Sequence, residues 1–137
     1  MYTETVRVRF YETDLMEVAH HSNHIRWFEA GRVGFFRHIG VDLRDMMADD
    51  IVFPIKAVSC TYIEPAAFED ELCIETRLKK MTRAQMVFSY RIVRVSDGAL
   101  IAEGESQNVF TKRSTGKLVR LSDRYYIPLL KAAEAEL

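Results

Sequence analysis

The sequence predicts an α+β domain in which an antiparallel sheet curls around one long helix. Three observations carry that prediction. A single segment has helical periodicity, several others alternate apolar and polar residues with a period of two, and the helical segment holds two interior glycines. The first alternating segment is Val6-Arg7-Val8-Arg9-Phe10-Tyr11, a half-buried strand with Val6, Val8 and Phe10 on the inner face. Near Ser22-Asn23 the period changes. Ile25, Phe28, Phe36 and Ile39 then return at roughly helical spacing as far as Gly40, a C-terminal stop. Gly31 and Gly34 each cost about 1 kcal/mol relative to alanine inside a helix. Their presence beside Ala30 predicts that another backbone packs close on that side.

A helical turn is expected at Leu43 to Met47, and most of the remainder reads as strand. Ile51 to Ile63 is rich in β-branched residues, with Pro54 placing its start at an edge or bulge. Glu64-Pro65-Ala66 turns the chain. Leu72, Ile74, Thr76 and Leu78 alternate with Cys73, Glu75, Arg77 and Lys79 in a second long strand. Met86, Phe88, Tyr90 and Ile92 mark a third, Ser96-Asp97-Gly98 a hairpin turn, and Leu100 to Phe110 a fourth strand. Ser114-Thr115-Gly116-Lys117 turns again. Ser122 or Asp123 caps a last helix to Leu137, interrupted or begun near Pro128.

At 137 residues and 48% hydrophobic content the chain has enough apolar surface for one core, so residues 1–137 are read as a single domain. A net charge of -1 gives no general pull toward nucleic acid or anionic membranes. No apolar run approaches the ~18 residues of a membrane span, and Met1-Tyr2-Thr3-Glu4 does not open a leader. Cys60 and Cys73 lie in alternating strands without Cys-x-x-Cys spacing, which predicts buried free thiols and a cytoplasmic location. His20 and His24 have i, i+4 spacing near Glu17, but nothing completes a zinc set. No metal or cofactor is expected.

Asp14 is the candidate for chemistry. A carboxylate on a loop that leads into a helix sits near unpaired backbone N–H donors, where a developing oxyanion is stabilised. Taken alone, an Asp after a strand is more often a turn residue. The surroundings change that balance: Tyr11-Glu12-Thr13-Asp14, His21, Trp27-Phe28-Glu29 and Arg32 resemble the signature of the 4-hydroxybenzoyl-CoA thioesterase family of hot-dog folds. The likeness continues through Tyr62-Ile63-Glu64-Pro65-Ala66, Asp70-Glu71-Leu72 and Met81-Thr82-Arg83. It implies a hot-dog fold, acyl-CoA thioester hydrolysis and a catalytic Asp14. Asp14 would either attack the carbonyl or act as general base toward water. His21 would add a donor or orient the substrate, and backbone N–H groups around His21, Ser22 and Asn23 would polarise the thioester carbonyl.

Other implications follow from the same resemblance. Glu29 and Arg32 lie near the site, and as an i, i+3 pair they also invite a simple ion pair. CoA phosphates require positive charge, for which Lys79, Lys80, Arg83, Lys112 and Arg113 are the candidates. Relatives usually have glycine at position 17 and tyrosine at 24, where this chain has Glu17 and His24. Two alternative readings are an acyl-carrier-protein thioesterase and a catalytically inactive module that binds an acyl thioester or scaffolds a partner. Long sheet edges and the family's shared sites predict a homo-oligomer, a dimer or a tetramer built from dimers.

Overall fold

The computed structural model describes residues 1–136. The order is β1 (Tyr2–Arg7), a 3₁₀ turn (Phe10–Glu12), α1 (Ser22–His38), α2 (Leu43–Ala48), β2 (Ile51–Val52), β3 (Ile55–Tyr62), β4 (Glu71–Met81), β5 (Gln85–Arg94), β6 (Leu100–Val109), β7 (Thr111–Lys112) and α3 (Asp123–Glu134). Five strands form one antiparallel sheet in the order β1-β4-β5-β6-β3, and β2 pairs with β7 in a small ribbon. One long helix against a five-stranded antiparallel sheet is the hot-dog arrangement that the sequence leads one to expect.

The alternation read in the sequence sets the core. Leu72, Ile74, Thr76 and Leu78 of β4 and Met86, Phe88, Tyr90 and Ile92 of β5 all face inward and are buried. Trp27, Phe28, Phe35 and Phe36 of α1 meet them. Phe28 stacks on Tyr90 at 4.4 Å, and Phe35 meets Phe88 edge-on at 5.3 Å. The two helix glycines do answer to a close approach, but side chains of the sheet rather than another backbone make it. A Cβ at Gly31 would collide with Thr76 Oγ1 and lie 2.9 Å from Ile74 Cγ2, while one at Gly34 would strike Tyr2 and Glu4 of β1. Gly104 on β6 has a similar role, with the Phe28 ring lying over it.

Three sequence expectations need correction. The first strand begins at Tyr2 and ends at Arg7, so Phe10 lies in the 3₁₀ turn and is 76% exposed rather than inward. The Glu12 carboxylate accepts the Arg9 N–H at 2.7 Å, and the Thr13 hydroxyl donates to Phe10 O at 2.7 Å; these bonds turn the chain out of the strand path. The 51–63 strand is two strands, because Pro54 breaks it between β2 and β3. The last helix runs through Pro128 and ends at Glu134; its expected end at Leu137 lies outside the described residues. Cys60 and Cys73 are free thiols, half-buried, and burial pushes both pKa values up. No helix among the described residues is long and apolar enough to cross a membrane.

Candidate active site

Asp14 opens a tight hairpin. Its N–H donates to Val18 O and its carbonyl accepts from Glu17 N–H, both at 3.0 Å, while its Oδ1 accepts the Met16 N–H at 2.8 Å. An Asp at the first position of such a turn is favoured because its side chain satisfies the backbone two residues on. Glu17 closes the turn at φ 65°, the left-handed region that glycine enters without strain. The backbone angle usual for a glycine there is thus kept by a glutamate. Asp14 Oδ2 has no protein partner among the described residues. The carboxylate borders an open hollow of about 570 Å³ lined by Phe10, Thr13, Leu15, Glu17, Ala67 and Phe68. Leu15 at its rim is exposed, as are the adjacent Met16 and the edge-on pair Phe10 and Phe68.

The hairpin is tied to the start of α1 through Glu12. The Glu12 carboxylate accepts from Trp27 Nε1 at 3.1 Å, and its carbonyl accepts from His20 N–H and from Asn23 Nδ2, both at 2.8 Å. Glu12 thus positions the hairpin against the helix, a role that sequence reasoning did not assign to it. Apart from Arg9, three residues back, the partners through which it reaches the helix lie 8 to 15 residues away, so no local pattern marks that role.

The helix start is more fully occupied than the sequence suggests. Ser22 N–H donates to His20 Nδ1 at 3.2 Å and Asn23 N–H to His20 O at 3.0 Å. Of the three backbone donors expected to face a carbonyl, His21 N–H alone lacks a protein partner among the described residues. The His21 carbonyl accepts from Tyr62 Oη at 2.8 Å, and its exposed ring packs against His20. Asn23 is buried, and its amide ties the helix to Glu12 and His20 rather than opening to solvent. His24 is also buried, beside Trp27 and Tyr62, and burial holds its imidazole below the ordinary value of 6.5. Among the described residues no group of three His, Cys, Asp or Glu is placed to hold a metal.

The remaining candidates scatter. Glu29 is exposed and forms no ion pair with Arg32, which instead turns inward and donates from Nη1 to Tyr90 Oη at 2.9 Å. The expected Glu29–Arg32 pair is therefore absent from the described residues. Arg83 joins the β4–β5 turn to α3, donating to Leu121 O at 2.9 Å and to Asp123, with its guanidinium 4.2 Å over the Tyr126 ring. Lys79 pairs with Glu105. Lys112 and Arg113 are exposed in the β7 turn beside Asp50. Hydrogen bonds from Ser114, reinforced by the charges of Lys112 and Arg113, hold the Asp50 carboxyl below the usual carboxylate range.

Comparison with known proteins bears on what this site does. The profile of the thioesterase-like superfamily matches residues 8–130. An Escherichia coli protein named acyl-CoA thioester hydrolase YbgC is 30% identical over 100 residues, covering 73% of this chain and 74% of that one. The hypothetical protein TT1821 of Thermus thermophilus superposes with a TM-score of 0.90 at 29% identity, covering 96% of this chain and 99% of its own. A DHNA-CoA thioesterase from Staphylococcus aureus superposes at 0.89 with 27% identity, covering 98% and 89%. With its profile match running from the end of β1 into α3, and its hot-dog sheet and helix shared with solved thioesterases, the chain belongs to the thioesterase-like superfamily.

Proposed function

We propose that the protein hydrolyses an acyl-CoA thioester to a carboxylic acid and CoA, with Asp14 activating the attack. The observation that carries this reading is the Asp14 carboxylate itself. One oxygen is fixed by its own turn and the other is unpartnered at the mouth of an apolar-walled hollow. The name of the E. coli relative supports acyl-CoA as the substrate class. In one route Oδ2 attacks the carbonyl, the C–S bond breaks, the CoA thiolate leaves and is protonated, and water hydrolyses the mixed anhydride. In the other, Asp14 takes a proton from the attacking water and the same C–S bond breaks. In both, His21 N–H is the donor assigned to the developing oxyanion, with the His21 ring supporting it. Ser22 and Glu29 are assigned to substrate contact. Asn23 and Arg83 serve from behind, holding the helix start and the α3 junction. Lys112 and Arg113, exposed and outside any ion pair among the described residues, are assigned to CoA phosphates.

The test is Asp14→Asn, which preserves size but can neither attack as a carboxylate nor accept the proton. Release of free thiol from a panel of acyl-CoAs should fall about 10²–10⁴-fold in kcat with the melting curve intact. Turnover within a few-fold of wild type would remove Asp14 from the chemistry. An acyl carrier protein that outcompetes every acyl-CoA as substrate would replace the CoA reading, and tight acyl-CoA binding without turnover would favour an inactive module.

We further propose that the working form is a cytoplasmic homo-oligomer, at least a dimer. The edge strand β3 is exposed along nearly its whole length, with Ile55, Val58 and Tyr62 uncovered, and an open strand edge is a template for another chain. Sedimentation at micromolar concentration should give a mass well above the 15.9 kDa of the single chain. A monomer that still turns over acyl-CoA would overturn the proposal.

A further inference from the structure

Among the described residues, Arg32 is the one Lys, Arg, Asp or Glu that is buried, at 5% exposure, and no carboxylate lies within ion-pair distance. Removing a guanidinium from water without a counter-charge is strongly unfavourable. Its surroundings compensate only in part. Nη1 donates to Tyr90 Oη at 2.9 Å; the Tyr90 hydroxyl lies 2.6 Å from Ser106 Oγ, and Ser106 Oγ donates to Asn108 Oδ1 at 3.4 Å. The chain ends where Asn108 Nδ2 donates to Phe53 O at 2.7 Å. These partners are all neutral. Arg32 Nε is sealed and has no partner, whereas Nη2 has no hydrogen bond yet is not sealed.

Beside this guanidinium is a hollow of about 290 Å³, lined by Ile25, Glu29, Arg32, Phe53, Pro54 and Asn108 among others. Its walls are mainly apolar and Arg32 is its one buried cation. Asn108 contributes little to a ligand, since its amide already serves Phe53 and Ser106. Glu29 is at the exposed rim with Arg26 three residues before it, so its carboxylate stays in solvent. Ile25 lies in the first turn of α1, and seven residues of helix span about 10 Å from there to Arg32.

We propose that this hollow is an acyl-group subsite in which Arg32 recognises a carboxylate at the far end of the acyl chain. The inference rests on the thioesterase reading for the use of the site, but the buried, uncompensated guanidinium stands without it. An entering carboxylate would supply the missing counter-charge while the chain lies against Ile25, Phe53 and Pro54. A hydrocarbon chain of the same length would leave Arg32 as it is.

Matched acyl-CoA pairs test this: hexanoyl-CoA against adipoyl-CoA, and octanoyl-CoA against suberoyl-CoA. At least one carboxylate-terminated member should show a kcat/KM ten-fold or more above its partner. Arg32→Met should lower that ratio at least ten-fold and Arg32→Lys by less. Equal rates within both pairs, or a ratio that Arg32→Met leaves unchanged in a folded protein, would overturn the proposal. Should Arg32→Met fail to fold, calorimetric titration of wild type and Glu29→Gln with adipate and with hexanamide, which has no carboxylate, decides. Adipate should bind more tightly, and more so when the rim charge is removed; hexanamide binding as tightly as adipate, or adipate weakened by Glu29→Gln, would overturn the subsite. If neither member of any pair is hydrolysed, it is the thioesterase reading that fails, and the adipate titration still judges the site.

Discussion

The middle of α1 and its beginning are held in place by different physics. From Phe28 to Phe36 the helix is fixed by shape: aromatic rings fill the core and glycines let the sheet approach. From His20 to Trp27 it is fixed by polar bonds that converge on Glu12. The difference teaches where each kind of damage should appear. Loss of shape should unfold the domain, whereas loss of the polar tie should leave a folded domain with a misplaced Asp14.

The largest effect is expected from Gly31→Val, which drives a branched side chain into Thr76 and Ile74. Overpacking of this kind costs about 3 kcal/mol, visible as a lower urea midpoint. Thr76→Ala in the same chain should recover part of the loss, because it removes the nearest colliding atom. No recovery would mean that the helix, rather than its approach to the sheet, is what valine disturbs.

Glu12→Ala attacks the other end. It leaves the buried Trp27 N–H unpaired and frees the Arg9 N–H, at a stability cost of about 1–3 kcal/mol. Misplacement of a reacting group by about 1 Å costs up to 10²-fold, so thiol release should fall by about ten-fold or more, mainly in kcat. A variant whose stability falls while kcat holds would show that Glu12 supports the fold but does not position Asp14. The smallest effect belongs to His24. Burial depresses its folded pKa, so the unfolded chain binds more protons below the ordinary value of 6.5. Its contribution to stability is therefore complete above that value and declines as pH falls below it. Between pH 7.5 and 5.5 the urea midpoint should drop more for wild type than for His24→Tyr, which cannot titrate there. Equal drops would assign the sensitivity to another group.

The same contrast governs how much could be read from the chain. The inward residues of β4 and β5, the extent of α1 and the close approach at Gly31 and Gly34 were legible, because each follows from periodicity or from the cost of a helical glycine. The Asp14 hairpin was legible only as a motif. Phe10 continues an alternating pattern, but the Glu12 and Thr13 side chains turn the backbone before it, and hydrogen bonds of that kind leave no periodic trace. Arg32 misled for another reason. Three residues after Glu29 it has the spacing of a surface ion pair, and only the fold reveals that it points toward Tyr90. Glu12 was visible only as a member of the Tyr11-Glu12-Thr13-Asp14 motif, since its tie to the helix lies in partners contributed by α1 and the segment before it.

Trp27 is the chain's one tryptophan, and its indole N–H is bonded to Glu12 while its ring lies 4.9 Å from the His24 imidazole. Indole emission responds to both a carboxylate acceptor and a nearby proton-bearing ring. The molecule therefore carries an intrinsic optical gauge at the joint between the Asp14 hairpin and the helix. A change in the Glu12 bond or in the His24 proton should be readable from its spectrum in the unlabelled protein.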